Sequence, residues 1–226
     1  MGLVGIQQGA SACQARDVTT SSRANAWTMN HPVLLVIDML NDFFQSGPLA
    51  ERRSTLVHSL NELVALFRSR EWPVVWIRQE FAPDLSDAFL GMRDQQKMIT
   101  IAGTDGCHLL SELDYQVGDP VVVKKRYSAF FRTNLADLLA SLQPDTLVLA
   151  GTNTHACVRT TAIDAYQRDF RVVIAAEAVA SYDEEHHQIT LRYLQQEIAQ
   201  VLTNAELSAA AHSSNLAQQI LGHPEP

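Results

Sequence analysis

The sequence predicts an α/β protein: a three-layer α/β/α arrangement around a mainly parallel central sheet. Three observations carry this. Five short aliphatic runs lack apolar–polar alternation, so each reads as a strand covered on both faces. The stretches between them place apolar residues at helical spacing. A chain of 226 residues, 46% hydrophobic and 19% charged, is large enough to bury one substantial core. Strands that alternate with helices close most simply into a parallel sheet with helices on either side.

Taken in order, residues 1–30 are rich in Ser, Thr, Ala and Gln without a sustained period and read as a flexible N-terminal arm or leader. The main domain is expected over 31–207. It opens with "PVLLVID" (32–38), an apolar run ending in an acid. "STLVHSLNELVALFRSRE" (54–71) puts Leu56, Leu60, Leu63, Val64 and Phe67 on one helical stripe, and "PVVWIR" (73–78) is the second strand. Residues 79–120 are broken by Pro83, Gly91, Gly103, Gly106 and Gly118 and read as a long functional loop. "PVVVKK" (120–125) is the third strand. "TNLADLLASL" (133–142) is a helix that Thr133 or Asn134 caps. "DTLVLAG" (145–151) is the fourth strand, "CVRTTAIDAYQRD" (157–169) a helix and "RVVIAAEA" (171–178) the fifth strand. "DEEHHQITLRYLQQEIAQ" (183–200) is a helix with acids in its first turn, where the dipole favours them. "VLTNAEL" (201–207) is a short edge strand, and 208–226 a tail with helical character that docks on a neighbouring subunit.

Several function classes are excluded at this level. A net charge of −8 argues against a nucleic-acid partner, which needs a basic face. No apolar stretch is long enough for a membrane-spanning helix, so no membrane partner is expected. Three scattered cysteines, Cys13, Cys107 and Cys157, make neither a disulfide framework nor a zinc knuckle, and a reduced, cytoplasmic setting is expected.

In a parallel sheet ligands bind beyond the carboxyl ends of the strands. Three chemically capable residues fall there: Asp38, Lys124 and Cys157. Singly, each has a bland reading as turn cap, snorkelling lysine or small buried thiol. Together, a carboxylate, an ammonium and a thiol at one sheet edge make an amide-cleaving site. The thiol is the nucleophile, its pKa expected to be lowered by a helix start and a nearby cation. Asp38 takes its proton and later protonates the leaving amine, Lys124 holds the acid, and backbone N–H groups of the 151–157 turn face the oxyanion.

Three segments, "LLVIDMLNDFF" (34–44), "VVVKKRYSAFFRTNL" (121–135) and "LVLAGTNTHACVRTTAIDAYQRDFRVVIAAEAVAS" (147–181), resemble the isochorismatase-like cysteine hydrolases. That family includes nicotinamidases and N-carbamoylsarcosine, ureidoacrylate and biuret amidohydrolases, and the resemblance runs over about 32–207. It implies a triad of Asp38, Lys124 and Cys157, with Lys125 turned away. It also implies a cis peptide between Thr152 and Asn153, and oxyanion donors at the backbone N–H groups of Asn153 and Cys157. The segment "WIRQEFAPDL" (76–85) lacks the Asp-x-His of metal-dependent nicotinamidases, so no catalytic metal and no other cofactor is expected. His186 and His187 are expected to face solvent or cap a first turn. The family's usual Gln after the acid is Leu40 here.

The expected reaction is hydrolysis of a small amide, ureide or carbamoyl compound with water, through a thioester and without metal. Cleavage of an ether, as in isochorismatases, and a non-catalytic scaffold or binding role are the competing readings. Substrate contacts are expected from Asn41, Phe43, Arg78, Gln79, Tyr127, Phe130 and His155. Arg159 is expected to pair with an acid. A homo-oligomer, dimer or tetramer, is expected by resemblance.

Overall fold

A computed structural model of the chain describes residues 29–221, with side-chain surroundings given to residue 212. The N-terminal arm, apart from its last two residues, and Cys13 lie outside the described residues, as do 222–226. The elements are β1 (Pro32–Ile37), α1 (Gly47–Ser69), β2 (Val74–Gln79), α2 (Leu90–Asp94), β3 (Val121–Lys124), α3 (Leu135–Leu142), β4 (Thr146–Thr152), α4 (Arg159–Tyr166), β5 (Arg171–Ala180), α5 (Glu184–Glu197), β6 (Gln200–Leu202) and α6 (Asn204–Leu221). All strand pairs are parallel, in the order β3-β2-β1-β4-β5-β6. The three-layer parallel architecture is therefore present.

Alternation along β1 builds both cores. Leu34 and Val36 face α1, meeting Leu56, Leu60, Leu63, Val64 and Phe67, with Leu207 of α6 in the same cluster. Val33, Leu35 and Ile37 face the other way, toward Leu135 and Leu139 of α3, Ala162 and Ala165 of α4 and Leu194 of α5. The uninterrupted aliphatic runs follow directly from this, since neither face of the sheet meets water.

Chain order reverses at β1, whose two neighbours β2 and β4 lead outward in opposite directions, and this is where parallel sheets open a crevice. Two departures from the sequence reading matter here. The first long helix begins at Gly47, seven residues before the expected start, because Pro48 occupies its first turn, where a missing N–H costs nothing. The expected edge strand over 201–207 is only Gln200–Leu202, and α6 starts at Asn204.

The loop between β2 and β3 has a small core of its own, with Phe81, Leu85, Ala88 and Ile101 buried together. It is tied to the turn after β1. Asp42 accepts from the Thr100 N–H at 2.6 Å, and the Asn41 side chain donates to the Asp105 carbonyl at 2.9 Å. Gly106 lies against the same acid: a Cβ there would sit 2.2 Å from Asp42 Oδ2. The loop is thus clamped beside the crevice at the carboxyl end of β1.

Candidate active site

β1 ends at Ile37, and Asp38 turns out of the strand with φ of 51°, a left-handed conformation that aspartate tolerates better than most residues. Its Oδ1 accepts from the Gln79 N–H at 2.8 Å, and its Oδ2 lies 2.6 Å from Lys124 Nζ. Lys124 closes β3, paired in register with Gln79 of β2. Beside that ion pair its ammonium donates to the Arg126 carbonyl at 3.1 Å and to Cys157 Sγ at 3.3 Å. Asp38 and Lys124 are fully buried and Cys157 is 4% exposed. The structure therefore brings the three together from β1, β3 and the turn after β4. Lys125 points elsewhere and pairs with Asp87 at 2.9 Å.

The turn carrying Cys157 is fixed from several sides. Gly151 adopts φ of 107° against β1, and a Cβ there would stand 2.0 Å from the Ile37 carbonyl, so only glycine fits. The Thr152–Asn153 peptide is cis. Thr152 Oγ1 donates to the Asp38 carbonyl at 2.8 Å, and Asn153 Oδ1 accepts from the Tyr182 N–H at 3.3 Å. Thr154 Oγ1 lies 2.8 Å from His187 Nδ1. One turn of π-helix, Thr154–Val158, then delivers Cys157 and leads into α4. No group among the described residues accepts from the Asn153 N–H.

The electrostatics reverse one expectation. Burial, followed by the Asp38 carboxylate, pushes the Cys157 thiol up from 9.0 to about 12, and Lys124 only partly offsets this. The reason is that Asp38 and Lys124 already neutralise each other, so ionising the thiol would leave a net buried negative charge. The resting group is a thiol, and the expected lowering by the cation and helix start does not occur. Burial alone would pull the Lys124 ammonium down, but Asp38 and then Cys157 reverse it, and it stays charged.

These shifts carry a sign. A thiol held above its unfolded value stabilises the fold fully below pH 9, and that contribution is lost as pH rises toward 12. Lys124, also raised, acts in the same sense above 10.5. Urea unfolding at pH 8 and pH 10 is expected to show wild type losing more stability than Cys157→Ala, at up to about 1.4 kcal/mol per pH unit. Equal losses in the two proteins would mean the thiol is not held protonated.

Cys157 opens onto a cavity of about 690 Å³. Of the residues expected to contact substrate, Phe43, Gln79, Tyr127 and His155 line it. The other three do not. Asn41 is spent on the Asp105 carbonyl. Arg78 lies on the opposite face of β2 from Gln79 and pairs with Glu80 at 2.8 Å. Phe130 is core, 5% exposed and stacked on Phe170, with the Arg168 guanidinium 4.8 Å over its ring. Leu40 is fully buried and bridges to Leu109.

His155 Nδ1 lies 2.5 Å from Ser181 Oγ and its Nε2 lies 3.3 Å from Tyr182 Oη; burial and the neighbouring His186 hold its pKa low. His186 faces solvent, as expected, with its imidazole 2.8 Å from Asp183, and it is Asp183 that caps the helix by accepting from the His186 N–H at 2.9 Å; His187 instead is buried against Thr154 rather than facing solvent. Arg159, expected to meet an acid, stacks instead on Tyr193 with its Cζ 4.9 Å from the ring centroid, and it faces the cavity. Sequence reasoning missed Tyr182, Lys97, Phe89 and Ile163 in the lining. Tyr182 was within reach of the strand-end rule, since it stands two residues beyond β5.

Comparison with known proteins decides the family. The isochorismatase domain matches residues 32–206. The chain belongs to the isochorismatase family. Maleamate amidohydrolase of Pseudomonas putida is 31% identical over 179 residues, 77% of this chain and 84% of that protein. A probable inactive nicotinamidase of Arabidopsis thaliana is 33% identical over 172 residues, 73% of this chain and 87% of the plant protein. Among solved structures, N-carbamoylsarcosine amidase from Thermoplasma acidophilum superposes with a TM-score of 0.65 at 30% identity, covering 77% of this chain and 96% of its own. This is an isochorismatase-family hydrolase with amidohydrolases among its relatives. Among the described residues no helix is long and apolar enough to cross a membrane.

Proposed function

We propose that this isochorismatase-family protein is a cysteine amidohydrolase that cleaves the C–N bond of a small carboxamide, ureido or carbamoyl compound. The observation that carries the reading is Lys124 Nζ, buried at 2.6 Å from Asp38 and 3.3 Å from Cys157, the member of the three that lines the cavity. A buried carboxylate–ammonium–thiol set is costly to fold around unless it is used.

In the proposed cycle Cys157 Sγ attacks the substrate carbonyl while its proton passes to Asp38. The new S–C bond pushes the carbonyl electrons onto oxygen, which the Asn153 and Cys157 N–H groups receive. Collapse breaks the C–N bond, and the departing nitrogen takes the proton from Asp38, leaving a thioester. Water then gives a proton to Asp38 and attacks the thioester. Sγ leaves and recovers the proton, and the carboxylic acid departs. Lys124 keeps Asp38 oriented throughout and opposes the build-up of negative charge.

The raised thiol pKa fits this scheme, because proton transfer accompanies attack instead of preceding it. A metal-independent reaction is part of the proposal: among the described residues no group of three or more His, Cys, Asp or Glu is placed to hold an ion. Ammonia release from a panel of small amides and ureides tests the reading. Release from at least one of them, unaffected by a chelator, is expected. Hydrolysis of vinyl ethers alone, or release that stops with chelator and returns with zinc, would contradict it.

A further inference from the structure

Three consecutive residues lead toward the nucleophile, and the side chain of each is tied to one short stretch of chain, 181–187. Asn153 Oδ1 accepts from the Tyr182 N–H at 3.3 Å, Thr154 Oγ1 lies 2.8 Å from His187 Nδ1, and His155 Nδ1 lies 2.5 Å from Ser181 Oγ. That stretch is itself anchored. It follows β5, whose Ala180 is in register with Thr152, and it opens α5, where Asp183 accepts from the His186 N–H at 2.9 Å. The nucleophile turn needs such support. Its one wide bond runs from the Val158 N–H to the Asn153 carbonyl at 3.2 Å, and the Ala156 N–H shares that acceptor at 3.0 Å. A single π-helical turn is a rare conformation, found mostly at functional sites.

Among these tethers the His187–Thr154 bond is buried at both ends, with the residues 6% and 0% exposed. Burial above all holds the imidazole below its ordinary 6.5, with Glu184 opposing and Arg52 and His155 acting with burial. At neutral pH the bond therefore joins two uncharged groups. A buried bond of that kind adds little net stability, since a matched pair of apolar side chains can pack there at nearly the same free energy. What it adds is direction: a hydrogen bond fixes distance and angle, whereas an apolar contact slides.

We propose that His187 is a positioning residue for the reaction: through Thr154 it fixes the turn that presents the Cys157 sulfur and the Asn153 and Cys157 N–H groups in the geometry that attack requires. It touches no reacting atom. Its kinetic consequence rests on the amidohydrolase reading, and its effect on the thiol does not.

His187→Leu and Thr154→Val break the bond from opposite sides. With an amide that the protein hydrolyses, each is expected to lower kcat by about 100-fold with KM near wild type, the scale of displacing a reacting group by about 1 Å. His187→Asn, whose amide stands where Nδ1 stood, should restore most of kcat. The double variant His187→Leu/Thr154→Val separates position from packing. Each single variant leaves one buried polar group alone and should lower the thermal midpoint; the double variant leaves none, so its midpoint should return toward wild type while kcat stays low. Recovery of kcat together with the midpoint, His187→Asn as slow as His187→Leu, or single variants as fast as wild type would overturn the proposal.

Iodoacetamide alkylation of Cys157 reads the same geometry without turnover. In wild type the rate should climb with pH to about 10 without a plateau, because the thiol is pushed up to about 12 by burial and by Asp38, with Lys124 only partly offsetting them. In His187→Leu, in Thr154→Val and in the double variant the released sulfur should titrate nearer its ordinary 9.0, and the rate should begin to level. A profile that ignores His187 and Thr154 overturns the proposal. A shifted profile without ammonia release from any amide would uphold the role of His187 in the turn and sink the amidohydrolase reading alone.

Discussion

Cys157→Ala is expected to reduce kcat/KM for amide hydrolysis by about 10⁴-fold or more, because the proposed reaction has no other nucleophile to form the acyl intermediate. Loss of fold does not explain such a drop. The thiol is a small, 4% exposed group packed among Val158, Ala162 and Leu149, and alanine keeps that apolar character. Circular dichroism and the thermal midpoint should stay close to wild type. Hydrolysis retained within tenfold would transfer the chemistry to Asp38 acting on water, as an ether hydrolase without a nucleophilic cysteine would use it.

Lys124→Ala is expected to remove turnover and also to cost about 3–5 kcal/mol of stability, the usual consequence of breaking a buried ion pair on one side. The Asp38 carboxylate, fully buried, would keep the Gln79 N–H at 2.8 Å but lose its counter-ion at 2.6 Å. Adding Asp38→Asn should recover much of the stability without any activity, since the uncompensated charge is then gone. Lys125→Ala supplies the control: its partner Asp87 is 35% exposed, and such pairs contribute about 0–1 kcal/mol. Urea unfolding and ammonia release measured on the same four proteins separate these outcomes. A Lys125→Ala protein that loses activity while Lys124→Ala keeps it would reverse the assignment of the two lysines.

How much of this was legible in the residues depends on the length scale of the signal. Buried parallel strands announce themselves, because "PVLLVI" and the "LVLA" inside β4 meet helices on both sides and carry no polar side chain. Asp38, Lys124 and Cys157 could be picked out because each ends or follows such a run. Choices that hang on one residue of strand parity were not legible in the same way. Arg78 and Gln79 are neighbours, and only the pairing of Gln79 with Lys124 puts Gln79 on the crevice and leaves Arg78 to Glu80. Phe130 and Tyr127 share one segment, yet hydrogen bonds from Ser128 to Asp164 and from the Ala129 N–H to Thr161 turn Phe130 into the core and leave Tyr127 outside.

Long-range closures were invisible to local pattern. Nothing near Asn41 or Asp42 in sequence says that they clasp a loop more than 55 residues away, through Thr100 and Asp105. The same holds for His187, which two adjacent histidines at a helix start made look solvent-facing, and which instead supports the nucleophile turn through Thr154. The sign of the thiol shift needed the triad as a unit. A cation beside a cysteine lowers its pKa only if that cation is not already neutralised, and Lys124 is.

The central claim is a covalent acyl group on Cys157. Intact-protein mass spectrometry after acid quench, during turnover of an amide that the protein hydrolyses, tests it most directly. The account predicts a mass increase equal to the acyl portion of the substrate, mapped by peptide digestion to Cys157, labile to hydroxylamine and missing in Cys157→Ala. Continued turnover with no adduct on the wild-type protein, or an adduct carried by another residue, would contradict it.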